Sequence, residues 1–267
     1  MLQLSIITIN YNNAAGLEKT IQSVVAQTFS DFEYLVIDGG STDTSPHIIR
    51  TYSNHITYSV SEKDNGIYHA MNKGILQAKG MYCLFLNSGD MLVNDSVLKK
   101  VFSTPACSAI LFGELLMDNG TNKRILEKLP AVITLPHLFY HNVWHPSSFI
   151  KTSLLKELGL YKEHFRIAAD YEFFFHAFII KKVSAHYLPF PISIFDTTGM
   201  SQQKENFGKI LAEREEVKRN YLDKATIFYF NKVTRFQKNA FSRVMVNSSF
   251  FRSIGILFIR IFYRNSL

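Results

Sequence analysis

At 267 residues, 47% apolar and 14% aromatic, the chain can bury the core of one large domain, or of one domain with an appended segment, and it is too apolar to be disordered. Its net charge of +7 is unevenly placed: residues 224–267 carry eight Lys and Arg and no acid, which leaves residues 1–223 at −1. A neutral globular part argues against a nucleic-acid enzyme, which surrounds its cleft with positive charge.

In chain order, residues 3–9 read as a buried strand. This run is short, broken by Ser5 and Thr8 and not preceded by a basic region, so it does not read as a signal peptide. Residues 10–13 form a polar turn, and a helix begins behind Asn13 as N-cap with Leu17, Ile21, Val24 and Val25 on one face. A second strand at 33–37 ends on the polar run 38–43, with a short helix around Ile48 and Ile49. A third strand at 56–60 leads to Ser61-Glu62-Lys63-Asp64-Asn65-Gly66, and the next helix buries Ile67, Ala70, Met71, Gly74, Ile75 and Ala78, with Gly80 expected to end it. Residues 81–86 are apolar on both faces, as in a strand inside a covered parallel sheet, and stop at Asn87-Ser88-Gly89-Asp90. Cys83 in this strand and the distant Cys107 have no metal spacing and form no disulfide framework, which fits a reduced compartment.

Four strands alternating with three helices imply a doubly wound α/β unit, whose ligands bind beyond the carboxyl ends of the strands. Residues 8–12, 38–43, 62–66 and 87–90 then converge on one edge. Further along, the pattern predicts a helix at 95–102, a strand at 109–116, a polar excursion or loop at 117–142 placed to cover a substrate, a strand at 148–151 and a helix at 153–158. A largely buried helix at 169–180 carries Asp170 in its first turn, where the helix dipole favours a carboxylate. A strand at 185–188, a polar segment at 196–203 and a charged helix at 205–221 follow. No stretch is apolar for the length of a membrane-spanning helix. The first turn holds one glycine, Gly16, so it is no glycine-rich phosphate cradle; a divalent cation held by Asp90 is the alternative for neutralising a diphosphate.

Six fragments in this order carry a resemblance. They are Ser-Ile-Ile-Thr-Ile-Asn-Tyr-Asn-Asn at 5–13, Val-Ile-Asp-Gly-Gly-Ser-Thr-Asp at 36–43 and Ser-Glu-Lys-Asp-Asn-Gly-Ile-Tyr at 61–68, followed by Ala-Met-Asn-Lys-Gly at 70–74, Phe-Leu-Asn-Ser-Gly-Asp at 85–90 and Phe-Arg-Ile-Ala-Ala-Asp-Tyr-Glu at 165–172. Across roughly residues 3–200 the chain resembles the inverting family-2 nucleotide-sugar glycosyltransferases of GT-A fold, in particular the bacterial branch that builds surface polysaccharides such as O-antigen or capsule.

The resemblance implies a GT-A domain at 1–222, with a nucleotide-binding half at 1–103 and an acceptor half at 104–222. It implies transfer of a hexosyl or N-acetylhexosaminyl group from a nucleoside-diphosphate sugar, a UDP-sugar first, to a hydroxyl of a glycan or lipid-linked glycan. Thr8, Asn10 and Tyr11 would border the base and Asp38 would accept from its N–H. Gly40, Ser41 and Asp64 would complete the nucleoside pocket, Asn72, Lys73, Ser88 and Gly89 would face the donor's phosphates and sugar, and Asp170 would be the catalytic base. Asp90 matches the last carboxylate of an Asp-x-Asp metal motif for Mg²⁺ or Mn²⁺, but Asn87 and Gly89 leave it the only strong ligand of that segment.

His145, before Pro146, resembles an acceptor-side segment, and His69 is a departure with no role assigned. A sugar nucleotidyltransferase is the alternative enzyme class, although its basic glycine-rich loop is absent; an inactive glycan-binding relative is the non-enzymatic one. Residues 223–267 have the density of Phe, Ile and basic residues of an amphipathic tail for an anionic membrane surface, at the cytoplasmic face of the cell membrane, with packing on the domain as the competing expectation.

Overall fold

The structure, a computed structural model, describes residues 2–103, 107–118, 120, 124–199 and 202–238. Contacts divide the chain into two compact units, Met1–Val217 and Lys218–Leu267.

In the first unit, strand β1 (Leu4–Asn10) is followed by helix α1 (Ala14–Val25), β2 (Phe32–Asp38), α2 (Ser45–Thr51), β3 (Tyr58–Ser61), α3 (Ile67–Gln77) and β4 (Tyr82–Phe85). The second half adds β5 (Met91–Leu92), α4 (Val97–Val101), β6 (Ile110–Asp118), β7 (Ile125–Glu127), α5 (Leu135–Tyr140), β8 (Ser148–Lys151), α6 (Thr152–Glu157), α7 (Ala169–Phe175), β9 (Ala185–Asp196) and α8 (Phe207–Tyr221), the last of which runs past the unit boundary at Val217. Helix α9 (Lys224–Lys238) belongs to the second unit.

Among the described residues one sheet runs β3-β2-β1-β4-β8-β6-β9-β5, with β7 paired to β6. The pairs β1/β2, β1/β4 and β2/β3 are parallel, and β8 then joins β4 and β6 antiparallel. The three parallel crossovers set the ends of β1, β2, β3 and β4 on one edge, as the alternation of elements requires. Leu4, Ile6, Val36 and Leu84 from the strands meet Leu17, Ile21 and Val24 of α1 in the core, so β1 and β4 are apolar on both faces because both are covered.

Asn13 caps α1 as expected, its Oδ1 accepting from Gly16 N at 3.1 Å. Gly80 does not end α3. The helix stops at Gln77, with Ala78 already extended, and Gly80 is needed because a Cβ there would collide with the backbone of Leu4 and Ser5 in β1. The third strand, expected at 56–60, runs from Tyr58 to Ser61 and is a mostly exposed edge strand paired only to β2.

The stretch 117–142 is less of a loop than its polarity suggests. Strand β7, helix α5 and the buried Leu129, Leu138, Phe139 and Val143 tie it to the core. The strand expected at 185–188 continues to Asp196 through Pro189 and Pro191: register shifts at Gly113/Glu114 and Glu114/Leu115 leave Pro189, Phe190 and Ile192 as extra residues of β9, with Pro191 opposite Glu114. A Cβ at Gly113 would lie 2.6 Å from Ile192 Cγ1, so that bulge needs glycine. The helix expected over 169–180 is α-helical to Phe175 and a π-helical turn from His176 to Ile180.

Candidate active site

The ends of β1, β2 and β4 are wired together. Asn10 Nδ2 donates to Asp38 Oδ1 at 2.7 Å, and Asn10 Oδ1 accepts from Ser88 Oγ at 2.7 Å. Ser41 donates its N–H to Asp38 Oδ2 at 3.0 Å and its hydroxyl to Oδ1 at 2.6 Å, and Ser61 Oγ donates to Oδ2 at 2.5 Å. Burial would raise Asp38, but these donors outweigh it and hold the carboxyl below its usual range. Gly40, at φ +78°, lets the turn pass over the Lys63 backbone. Tyr11 stands 68% exposed at this edge, an apolar plate facing solvent.

Four residues expected at the donor are not presented to it. Thr8 is fully buried and accepts from the Tyr34 hydroxyl at 2.9 Å, because its position in β1 points into the covered face. Asp38 is also fully buried and already accepts four protein hydrogen bonds, so it organises the turn and has no lone pair free for a base. Asn72 is spent on the loop after α6: its amide donates to Tyr161 O and Glu163 Oε1, both at 2.9 Å, and its oxygen accepts from Tyr161 N. Lys73 is neutralised by Glu62 and Asp64, 2.6 and 2.7 Å from Nζ. Asp64 Oδ1 also meets His69 Nδ1 at 2.9 Å, which gives His69 a partner, while Asp64 Oδ2 is buried without one and lies beside Gly39.

Below Tyr11 opens a cleft of about 610 Å³ whose lining includes Asn13, Tyr68, Ser88, Asp90, Trp144, His145, Asp170 and Arg214. Asp170, 8% exposed, is held from three directions. Its Oδ1 accepts from its neighbour Tyr171 N at 2.8 Å and lies 3.1 Å from the Tyr68 hydroxyl, whose shorter bond of 2.6 Å goes to Ile167 O. Its Oδ2 meets Asn142 Nδ2 at 3.2 Å and His145 Nδ1 at 3.3 Å. Burial works against the charge of Asp170, yet His145, the Tyr171 N–H and Tyr68 together keep its carboxyl below the usual range. His145 Nε2 in turn meets the Asn87 amide at 3.2 Å; with that amide donating, the imidazole carries its proton on Nδ1 and donates to Asp170.

On the opposite side of Asn87, Asp90 accepts from Asn87 N at 3.2 Å and from Asp196 N at 3.1 Å. Burial pushes Asp90 up to about 7, with the nearby Asp196 charge acting the same way and His145 against it. Asp196 comes from the end of β9. A Cβ at Gly89 would lie 2.5 Å from Asp196 Oδ2, and Gly89 has φ +109°, so a side chain at position 89 is excluded on two counts. The end of β9 thus sets a second carboxylate beside Asp90. Asn87 Oδ1 is buried with no partner. Among the described residues no group of three or more His, Cys, Asp or Glu is arranged for a metal, but two carboxylates and one orphaned amide oxygen form an oxygen donor set suited to Mg²⁺ or Mn²⁺, with substrate oxygens and water completing the shell.

Sequence reasoning missed Tyr68, Asn142, Glu213 and Arg214. Tyr68 stood in plain view in Gly-Ile-Tyr, whereas Glu213 was one acid among several in a charged helix. Glu213 Oε1 accepts from Arg166 N, and Oε2 from Ile167 N and Ala168 N, all at 2.9 Å. It thus holds the loop that enters α7, satisfying three consecutive amides just ahead of the helix. In Glu213→Gln an NH₂ group faces backbone N–H donors, so urea unfolding is expected to lose about 1–3 kcal/mol of stability. Any catalytic defect should appear in kcat before donor KM, because the loop it holds leads into Asp170.

The chain is similar to known glycosyltransferases. Residues 5–104 match the family model described as glycosyl transferase family 2. An uncharacterized glycosyltransferase of Mycobacterium tuberculosis is 32% identical over 215 residues, 76% of this chain and 78% of that protein. A PGL/p-HBAD biosynthesis glycosyltransferase of Mycobacterium bovis is 29% identical over 206 residues, 73% and 77% of the two chains. The fold is similar to that of S. aureus TarS 1–349 in complex with UDP, with TM-score 0.65 and 20% identity over 89% of this chain and 72% of TarS 1–349. It is also similar to a mannosyltransferase from Pyrobaculum calidifontis in complex with GDP-Man and Mn²⁺, with TM-score 0.55 and 14% identity over 91% and 82% of the two chains. With its GT-A-like α/β sheet and a match at this identity and coverage, the chain belongs to glycosyltransferase family 2.

Proposed function

We propose that this protein is an inverting glycosyltransferase that moves one sugar from a nucleoside-diphosphate donor, a UDP-sugar, to a hydroxyl of a glycan or lipid-linked glycan in the building of a bacterial surface polysaccharide. The observation that carries the reading is Asp170, a carboxylate kept ionised in the cleft although nearly buried. Its Oδ2 has only long contacts and is the oxygen able to take a proton from an acceptor hydroxyl. The acceptor oxygen attacks the anomeric carbon from the face opposite the diphosphate, and the bond to the diphosphate breaks with its electron pair leaving on that group. The anomeric configuration inverts, and no covalent intermediate with the enzyme forms.

Tyr11 supplies a face for the base, and Asn13 and Ser88 border the cleft beneath it. A bound Mg²⁺ or Mn²⁺ would be held by Asp90, Asp196 and Asn87 Oδ1, and would neutralise the charge of the leaving diphosphate. Of the proteins similar in fold, S. aureus TarS 1–349 is in complex with UDP and the Pyrobaculum calidifontis mannosyltransferase with GDP-Man and Mn²⁺, which supports the donor class. A thermal-shift panel of UDP, GDP, CDP and ADP with and without Mn²⁺ is the test. UDP should give the largest stabilisation and Mn²⁺ should enlarge it, whereas no stabilisation by any nucleotide would remove the reading.

The second unit fits contact with an anionic membrane at the cytoplasmic face. Helix α9 exposes Phe228 and Tyr229, with Lys232 Nζ 4.7 Å above the Phe228 ring, and its sequence sets Lys232, Arg235 and Lys238 at helical spacing. Arg260, Arg264 and the apolar residues Phe250, Phe251, Ile254, Leu257, Phe258, Ile261 and Phe262 lie outside the described residues. No helix of the described residues is long and apolar enough to cross a membrane. Full-length protein is expected to cosediment with anionic and not neutral liposomes, and to release at high salt. Truncation after Asp223 should abolish this, and equal partitioning of both forms would count against it.

A further inference from the structure

Arg214 lines the cleft and is tied to both segments that flank the base. Its Nη2 donates to His141 O at 2.6 Å, one residue before the Asn142 that contacts Asp170 Oδ2. Its guanidinium carbon sits 4.3 Å from the ring centre of Tyr171, the residue after Asp170. The group is thereby fixed beside the base, while the diphosphate's place is marked by the carboxylates Asp90 and Asp196.

No carboxylate among the described residues forms a salt bridge with Arg214. The His141 carbonyl occupies one of its five N–H donors, and neither that contact nor the Tyr171 ring cancels its charge. Arginine stays protonated, so the charge cannot be shed by titration as that of a lysine or histidine can. A half-buried cation held rigidly at a cleft wall without an anionic partner suits a ligand that brings one, because charge-assisted and bidentate bonds to carboxylate or phosphate are the strong ones.

Resting on the transferase reading above, we propose that Arg214 is an acceptor subsite for an anionic group, a phosphate or a carboxylate, carried by the molecule whose hydroxyl is glycosylated. The acceptor's charge would lie over the Tyr171 and Asn142 side of Asp170, and the contact would orient the nucleophilic hydroxyl towards Oδ2. A neutral glycan lacks this anchor.

The test uses the full-length protein saturated with UDP and Mg²⁺, so that small anions cannot enter the donor half. Phenyl β-glucoside, phenyl β-glucuronide and phenyl phosphate are titrated by ligand-observed NMR. At least one anionic ligand should bind about 10-fold or more tightly than the neutral glucoside and weaken with salt, as expected for a charge-assisted contact. Tighter phenyl phosphate assigns a phosphorylated acceptor, and tighter glucuronide an acidic sugar. Arg214→Gln should erase the preference and Arg214→Lys should keep part of it, with UDP stabilisation unchanged in both. If Arg214→Gln does not fold, the lysine variant and the wild-type salt dependence decide.

Equal binding of all three compounds, or a preference that survives Arg214→Gln, overturns the subsite. Loss of UDP stabilisation in the Arg214 variants would assign the residue to the donor and also overturn it. If UDP fails to stabilise the wild type, the transferase reading itself falls and takes the subsite with it.

Discussion

Asp170→Asn should fold, bind UDP with unchanged affinity and transfer sugar about 10²- to 10⁴-fold more slowly, the usual cost of losing a general base. The fold should survive because the neighbours can adapt to an amide. The amide oxygen keeps the Oδ1 contact with Tyr171 N, and His145 can move its proton from Nδ1 to Nε2, so that Nδ1 accepts from the amide nitrogen standing in place of Oδ2. Catalysis cannot adapt in this way, since an amide does not take a proton at neutral pH.

The same contacts set the acid limit of activity. Asp170 is held below its ordinary value, so its carboxylate persists as pH falls and is lost only on protonation at the depressed value. In His145→Ala the hydrogen bond of the imidazole to Oδ2 is gone while the burial remains. The acid limb of kcat/KM should therefore move to higher pH. Near-normal turnover of Asp170→Asn, measured as UDP release with acceptor present, would remove the base assignment; an unmoved acid limb in His145→Ala would remove the coupling to His145.

Asp90→Ala is expected to weaken metal-dependent donor binding by about 100-fold or more, since even outer partners of metal ligands typically account for about 10–100-fold. Binding of the free nucleoside should change little, because a carboxylate that acts through a cation touches the phosphates and not the base. The folded state should tolerate the change: burial pushes the Asp90 carboxyl up to about 7, so the mutation removes a group whose charge is poorly solvated, along with two accepted backbone bonds. Asp196→Ala should show the same metal dependence in milder form. Titrating Mn²⁺ against UDP-dependent thermal stabilisation in wild type and mutants reads the effect. Identical Mn²⁺ curves for wild type and Asp90→Ala would exclude Asp90 as a ligand.

The sequence by itself determined the scaffold and the edge at which ligands meet. Apolar runs at strand length, separated by helices of clear 3.6-residue periodicity, leave a covered parallel sheet as the solution, and that sheet puts Asn10, Asp38, Ser61 and Asn87 at one end. These are local patterns, readable because periodicity and turn chemistry act within a few residues. Asp170 and Asp90 stood out as candidates for the same reason, each lying inside a compact motif, and the structure places both on one cleft.

What only the tertiary structure decided is which atoms remain free. Thr8 and Asn72 look available in sequence, yet one faces the core beside Tyr34 and the other is consumed by a loop 89 residues away. Asp196 meets Asp90 across 106 residues through its backbone N–H, and Glu213 holds the amides before Asp170 from a helix 45 residues on. The extension of β9 through two prolines depended on its bulging against β6, a property of the pair that neither strand carries alone. Hydrogen-bond capacity is exhausted by whichever partner arrives in space, and burial sets the charge state, so neither is written in the spacing of residues along the chain.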